Sequence, residues 1–405
     1  MQKNTQLVWA GRHPEHHNGL VNTPVYRGST ILSATMADWA KLKKRQSEDE
    51  HGVSTYGRFG TPTHHALQEA IAAVEGGYRS LVYPSGLAAI ASVLTALLSA
   101  GDHILLTDSA YSPTSQFLNR TLSRFGVQVS RYDPCSGASI DSLIQPNTRV
   151  VYVESPGSET FEIQDIPAIA EVAHAHGARV VMDNTWGTPL FFKPFEHGVD
   201  VSIQAATKYI TGHSDAMLGI ATCNRETWTC VKQTSYDLGQ TASPDDAYLA
   251  LRGLRTLGVR LQQHWTSGVQ IAQWLEARPE IDAVLHPALP SHPGHTLWKR
   301  DFLGASGLFA IAMKPVSQAG LDAFIDNLKL FGLGVSWGGF ESLALPFTPG
   351  GRTTNHWKYA GPGVRLHIGL EDPSDLIADL ETAFAAMAST EADIAQNVEV
   401  TESIV

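Results

Sequence analysis

Short aliphatic, β-branched runs alternate with helical segments through the first two thirds of the 405-residue chain, and this alternation limits the fold most. Ser80-Leu-Val-Tyr83, His103-Ile-Leu-Leu-Thr107, Val127 to Tyr132, Arg149-Val-Val-Tyr-Val153, Arg179-Val-Val-Met-Asp183, Val199 to Ile203 and Leu218 to Thr222 read as strands. Helical stretches begin at about Leu87, run from Phe117 to Phe125, and run from Ile166 to His176, where Gly177 ends the last. Continuous Val/Ile/Leu runs divided by helices predict a mainly parallel sheet covered on both faces. In such an α/β layer, chemistry belongs beyond the carboxyl ends of the strands.

From about Ala242 the texture changes. Pro244 to Ala277 reads as a long helix with weak breaks at Gly253, Gly258 and Gly268, followed by a Pro/Gly/His-rich connection. A strand near Leu308 to Met313, a helix from Gly320 to Phe331, a strand at Val364 to Ile368 and a helix at Pro373 to Met387 predict a smaller α+β domain. The expected division is an N-terminal arm (1–55), a large α/β domain (56–241), the α+β domain (242–388) and an acidic tail (389–405) expected to be disordered.

Composition narrows the class. Only 17% of residues are charged, and 29 Lys and Arg against 40 Asp and Glu leave a net charge of −11. That sign argues against nucleic acid or an anionic membrane as partner, since both need a positive field. Cys135, Cys223 and Cys230 are too few and too irregular for a disulfide framework or a thiolate metal site. The amino terminus lacks the apolar core of a secretory signal. The most apolar stretch, Leu87 to Ala100, is interrupted by Ser92, Thr95 and Ser99 and falls short of a membrane span. A soluble, cytoplasmic, multi-domain enzyme is expected.

No His-Glu-x-x-His, phosphate-binding Gly-x4-Gly-Lys-Ser/Thr loop or Gly-x-Ser-x-Gly elbow occurs. No metal is expected: His174 and His176, two apart on a helix, point different ways and read as a solvated face. Gly338-Gly339 lacks the strand and fingerprint of a dinucleotide site.

The informative segment is Asp200-Val-Ser-Ile-Gln-Ala-Ala-Thr-Lys-Tyr209, where a strand delivers Lys208 to a sheet end. Burial would lower that lysine's pKa and make it a nucleophile and base, although a lone strand-end lysine more often snorkels to solvent. Asp183 ends another strand, where it is either a turn or helix cap or a partner for a protonated ring nitrogen. Ser85-Gly86-Leu87 opens a helix after a strand, either as a plain N-cap or as a phosphate cradle of backbone N–H groups. Together a lysine, an aspartate and a phosphate cradle at sheet-end loops are the protein's half of pyridoxal phosphate chemistry.

Several long motifs in one order carry a resemblance. They are Tyr56-Gly-Arg-Phe-Gly-Thr61, Ala110-Tyr111, Glu154-Ser-Pro-Gly-Ser158, Asp183-Asn-Thr-Trp186, Gln204-Ala-Ala-Thr-Lys-Tyr209 with Gly212-His-Ser-Asp215, Ser336-Trp-Gly-Gly339 and Arg365-Leu-His-Ile-Gly-Leu-Glu-Asp372. From Thr5 to about Ala386 the chain resembles the pyridoxal-phosphate enzymes of cysteine and methionine metabolism, most closely the bacterial β-lyase branch. The resemblance implies the aspartate-aminotransferase-like fold (fold type I), with a seven-stranded large domain. It also implies pyridoxal 5'-phosphate as cofactor and a role in methionine biosynthesis.

By that resemblance Lys208 is the Schiff-base lysine and general base, Asp183 keeps the pyridine nitrogen protonated, and Tyr111 stacks on the ring. Ser85, Gly86, Leu87 and Thr207 hold the phosphate. Ala205 stands where much of the family has serine, removing one hydroxyl. Tyr56 and Arg58 match residues that reach phosphate and substrate from a neighbouring subunit, which implies a homo-oligomer, a dimer of dimers with shared sites. Arg365 matches the arginine that grips the substrate's α-carboxylate, with Ser336 and Trp337 beside it.

Three features favour β- over γ-elimination. Val335-Ser336-Trp337 replaces the Glu-Ser-Leu usual in γ-lyases and γ-synthases, Gly157-Ser158 replaces Thr-Asn, and no cysteine closely follows Tyr111. The expected reaction is β-elimination of L-cystathionine to homocysteine, pyruvate and ammonia. A γ-lyase, a γ-synthase, a broad cysteine-S-conjugate lyase and a non-catalytic regulator that retains the cofactor are the alternatives.

Overall fold

Each aliphatic run marked as a strand is largely buried, and seven of them join in one sheet. The computed structural model describes residues 1–354 and 356–402, with side chains through 397. The strands are β1 (Arg79–Tyr83), β2 (His103–Thr107), β3 (Gln128–Tyr132), β4 (Thr148–Glu154), β5 (Arg179–Asp183), β6 (Val201–Ala205) and β7 (Gly219–Cys223), in the order β1-β7-β6-β5-β4-β2-β3. β2 to β6 pair in parallel, and β7 runs antiparallel to both β6 and β1. The mainly parallel α/β sheet is therefore as expected.

Nine helices belong to this part of the chain: α1 (Lys3–Trp9), α2 (Met36–Ser47), α3 (Pro62–Glu75), α4 (Gly86–Leu97), α5 (Ser112–Arg120), α6 (Ile166–Ala175), α7 (Thr188–Phe191), α8 (Arg225–Asp237) and α9 (Pro244–Glu276). Alternate strand residues face opposite ways. Ile104 and Leu106 pack with Val93 and Leu94 of α4, whereas Leu105 packs with Val151, Val153 and Ile169 of α6. Each such fully buried aliphatic side chain contributes about 1.5–3 kcal/mol relative to exposure, so the sheet's register is firmly held.

A second sheet holds β8 (Ile281–Leu285), β9 (Leu308–Met313), β10 (Leu343–Phe347) and β11 (Gly363–His367) in the antiparallel order β10-β11-β9-β8. It is accompanied by α10 (His295–Asp301), α11 (Gln318–Asp326) and α12 (Pro373–Glu402). Pro346 lies in β10, an edge strand, where the missing N–H is tolerated. The helix α9 serves both sheets: Ala247 to Leu261 enter the core against β7, while Ile271, Ala272 and Leu275 enter the core under β8 and β9.

Three expectations need correction. The helix placed at Phe117–Phe125 starts at Ser112, because Pro113 in its first turn fixes a helical φ, and it stops at Arg120 before a short 3-10 turn. Gly253, Gly258 and Gly268 do not break α9, which is continuous for 33 residues. They are close-approach points: a Cβ at Gly253 would lie 2.3 Å from the Ile210 carbonyl oxygen. The acidic tail is helical from Ser389 to Glu402 as part of α12, with Glu391 accepting from Ser317 N at 3.2 Å; residues 403–405 lie outside the described residues. At the start of the chain Leu7 of α1 is buried, and Arg255 donates to the Leu7 and Ala10 carbonyls at 2.7 and 2.8 Å.

Candidate active site

Five parallel-running strand ends converge on one region. Beyond β6 the chain turns tightly, with Lys208 N donating to Ala205 O at 3.0 Å and Gly212 N donating to Lys208 O at 2.8 Å. Lys208 is thereby held directly past the sheet end. Its Nζ donates to Ser336 Oγ at 2.5 Å and lies 5.4 Å from the Trp337 ring centroid. Burial lowers its pKa to about 8, the Arg365 charge pushes the same way, and Asp183 opposes both.

Asp183 ends β5 and is buried. One oxygen, Oδ1, accepts from Thr185 N at 3.0 Å and Thr185 Oγ1 at 2.5 Å, while Oδ2 carries no hydrogen bond among the described residues. Burial raises this carboxyl, while the Thr185 bonds and the Lys208 charge hold it down. Glu154, its register partner on β4, is one strand spacing away. Burial and the Asp183 charge push Glu154 well above the usual carboxylate range. Glu154 Oε2 accepts from Tyr111 N at 2.7 Å and so fixes the start of α5. Burial, with the Asp183 and Glu154 charges, raises the Tyr111 phenol, which therefore carries its proton at neutral pH.

At the end of β1, Ser85 caps α4 by accepting from Ala88 N at 3.1 Å. That is the plain N-cap role, and it leaves Gly86 N and Leu87 N without a partner among the described residues. Two unused helix-start donors make an anion site. Glycine is required at this point: a Cβ on Gly86 would lie 2.8 Å from the Ala205 Cβ, so α4 approaches the end of β6 as closely as backbone allows. The Thr207 hydroxyl is already engaged, donating to Leu218 O at 3.2 Å and accepting from Leu218 N at 2.9 Å.

Arg365 comes from β11 in the second sheet. Its Nη2 donates to Ser336 O at 3.1 Å, so Ser336 joins the arginine and Lys208 through its carbonyl and its hydroxyl. Ser336 does this at φ +111°, a strained conformation for a residue with a Cβ. The loop is pinned on both sides: His367 Nε2 lies 3.1 Å from Gly338 N and Gly339 O, and a Cβ on Gly338 would meet the Lys208 Cα at 3.0 Å. Burial lowers His367 to about 3, so it is neutral in this role.

The structure therefore gathers Lys208, Asp183, Tyr111, Ser85, Gly86, Leu87, Thr207, Ser336, Trp337 and Arg365 at the sheet ends. Tyr56 and Arg58 stay apart from them: Arg58 Nη1 donates to Tyr236 O at 3.0 Å and its guanidinium stacks 4.7 Å from the Phe59 ring centroid. Thr185, Glu154 and His367, which sit in the quoted motifs without a role of their own, bond to Asp183, Tyr111 N and the Gly338-Gly339 backbone. Only Asp-x-Thr at 183–185 carries a local signal, the side-chain turn its spacing allows. His174 and His176 point to different carboxylates, Asp200 and Asp141, at 2.9 and 2.8 Å, rather than to solvent alone.

The donor set suits a phosphorylated pyridine aldehyde: a depressed lysine for the carbonyl, a buried carboxylate with a free oxygen for the ring nitrogen, and free N–H groups for the phosphate. Comparison with known proteins agrees. A family model for Cys/Met metabolism PLP-dependent enzymes matches residues 4–385. A Rhizobium johnstonii protein is 50% identical over 95% of this chain and 96% of its own length. The cystathionine beta-lyase MetC of Escherichia coli is 44% identical over 94% of this chain and 98% of its own. The crystal structure of MetB from Corynebacterium glutamicum superposes with a TM-score of 0.86 at 31% identity, covering 95% of this chain and 98% of that one.

Proposed function

Since the chain belongs to the family of Cys/Met metabolism PLP-dependent enzymes, we propose that it is a carbon-sulfur lyase that converts L-cystathionine to homocysteine, pyruvate and ammonia. The observation that carries this reading is the Ser336 junction, which places a lysine lowered to about 8 beside an arginine suited to an α-carboxylate. Tryptophan at 337 and Gly157-Ser158 support β- over γ-elimination. The large sheet holds the cofactor and the smaller sheet supplies the carboxylate grip.

Lys208 Nζ would hold pyridoxal phosphate, which when bound would supply a sink for the electrons of the Cα–H bond. Gly86 N, Leu87 N and the helix start would hold its phosphate, and Asp183 would pair with its ring nitrogen. Arg365 binds the substrate's α-carboxylate and so orients the Cα–H bond. Lys208 Nζ, as a free amine, would remove the Cα proton. The Cβ–S bond then breaks, and the leaving thiolate takes a proton from Lys208 or from the Tyr111 phenol. Trp337 covers the lysine and limits its exposure to water.

The site is completed by a second copy of the chain. Tyr56 and Arg58 turn away from Lys208 within their own chain. The large apolar side chains Val8, Trp9, Leu20, Val21, Tyr26, Leu32, Met36 and Tyr56 are exposed and crowd the first 56 residues. An arm this apolar needs a cover. We assign it to the partner in a dimer, with two dimers forming a tetramer. No described helix is long and apolar enough to cross a membrane. The three free cysteines suit a cytoplasmic enzyme.

Product analysis tests the reaction. Purified enzyme given L-cystathionine should release pyruvate and homocysteine; cysteine with 2-oxobutyrate and no pyruvate would refute it.

A further inference from the structure

Beside Tyr111 a cavity of about 300 Å³ opens between the start of α5, the turn after β4 and the strap at 350–352. Most charges around it are already committed. Asp108 accepts from Thr353 N and Thr354 N at 2.7 Å and from Arg131 Nη1 at 2.9 Å. Arg352 donates to Ser158 O at 2.9 Å and to Thr160 Oγ1 at 2.5 Å.

Glu159 is different. It lines the same cavity, yet its carboxylate makes no hydrogen bond or ion pair among the described residues. It is held at φ +67°, a backbone conformation that glycine or asparagine adopts more readily. The charges that act on it are those of Arg365 and Arg352, so it lies within reach of the field that receives the substrate's α-carboxylate. A strained residue with an unpaired carboxylate, in a cavity whose wall includes Ala110 and Ser112 on either side of Tyr111, has the properties of a ligand-binding group.

We propose that Glu159 binds the distal ammonium group of L-cystathionine and selects conjugates that carry one. This rests on the lyase reading and sharpens its substrate class. L-Cystathionine is a cysteine conjugate whose second end repeats the ammonium and carboxylate of an amino acid. With the first carboxylate on Arg365, the second head extends along the thioether into the cavity. There Glu159 is the free anion. Gln116 and Arg120, which line the same cavity, suit the distal carboxylate, and Arg120 has no partner among the described residues.

The test compares L-cystathionine with S-(3-carboxypropyl)-L-cysteine, which lacks only the distal amine, by pyruvate release. A hydrogen bond between charged partners corresponds to about a tenfold to hundredfold difference in affinity. Wild-type enzyme should therefore show a KM at least about tenfold higher for the carboxypropyl compound. In Glu159→Gln the ratio of the two KM values should fall to about one, while the two kcat values change together. A wild-type ratio near one overturns the proposal, and so does a variant that slows both substrates but keeps the wild-type ratio. If the variant does not fold, the wild-type ratio alone decides. Failure to release pyruvate from either compound would refute the lyase reading itself.

Discussion

Ser336 can be taken apart by two substitutions, alanine and glycine. Its hydroxyl accepts from Lys208 Nζ at 2.5 Å, and its backbone is held at φ +111°. A hydrogen bond to a charged group contributes about 1.5–3 kcal/mol, and one pH unit corresponds to about 1.4 kcal/mol. That bond favours the ammonium, so its loss pushes the lysine further down. In cofactor-free Ser336→Ala, Lys208 should titrate about one unit below its present value of about 8. The backbone strain is a separate quantity of about 1–3 kcal/mol, which glycine relieves at a cost of about 0.5–1 kcal/mol in chain entropy. Ser336→Gly should lose the same hydroxyl yet be more stable than Ser336→Ala by roughly 1 kcal/mol. The pH dependence of Lys208 modification by trinitrobenzenesulfonate, located by peptide mass, reads the first quantity, and urea midpoints read the second. A lysine that titrates at or above its present value in Ser336→Ala would refute the argument, as would an alanine variant more stable than the glycine one.

Lys208→Ala should abolish the near-visible absorption of the attached cofactor or leave cofactor bound without turnover; an unchanged spectrum and rate would contradict the central assignment. Arg365→Ala should raise KM for amino-acid substrates about tenfold or more, with Arg365→Lys recovering only part, because the fork geometry is lost. If sites are shared, Arg58→Ala and Lys208→Ala proteins should complement each other when mixed. Random exchange restores about a quarter of the sites, since half the dimers are mixed and each has one intact site; no recovery would place Arg58 outside the partner's site. Acid should destabilise the protein through its buried neutral histidines. His264 is lowered to about 4 and His286 and His367 to about 3, in each case first by burial. The unfolded chain binds these protons first, so the contribution is full above about pH 6.5 and is lost as pH falls toward the folded values. The slope is about 1.4 kcal/mol per pH unit per histidine, and urea midpoints between pH 7.5 and 5 would measure it.

What could be read from the sequence followed from locality. Lys208 and Asp183 each stand at the end of an aliphatic run, so strand periodicity alone places both at sheet ends. Gly86 and Leu87 open a helix after a strand, which is again a pattern within a few residues. Arg365 and Ser336 were different, because their approach to Lys208 is set by how a second sheet docks on the first. No local period encodes that, and only the family resemblance supplied it. Glu154 heads a recognisable motif, but its pairing with Asp183 is not local, because the two are adjacent through sheet register and 29 residues apart in sequence. The glycines of α9 look like breaks because their low helix propensity is local, whereas the close packing that favours them is not. The tail differs for a similar reason: its charge suggests solvation, but Glu391 is bound by Ser317.

The double allegiance of α9 bears on how such a protein can be taken apart by recombination. Leu254, Leu257 and Leu261 complete one core, and Ile271 and Leu275 of the same helix complete the other. A crossover between relatives in the segment before Pro244 would look clean on the page, since it falls between two sheets. It would nonetheless graft onto the first core a wall shaped for someone else's side chains, and interiors packed to crystal density tolerate such mismatches poorly. Exchange of the substrate-gripping half should therefore succeed when the breakpoint lies within α9, near Thr266, where each half of the helix stays with the core it fills.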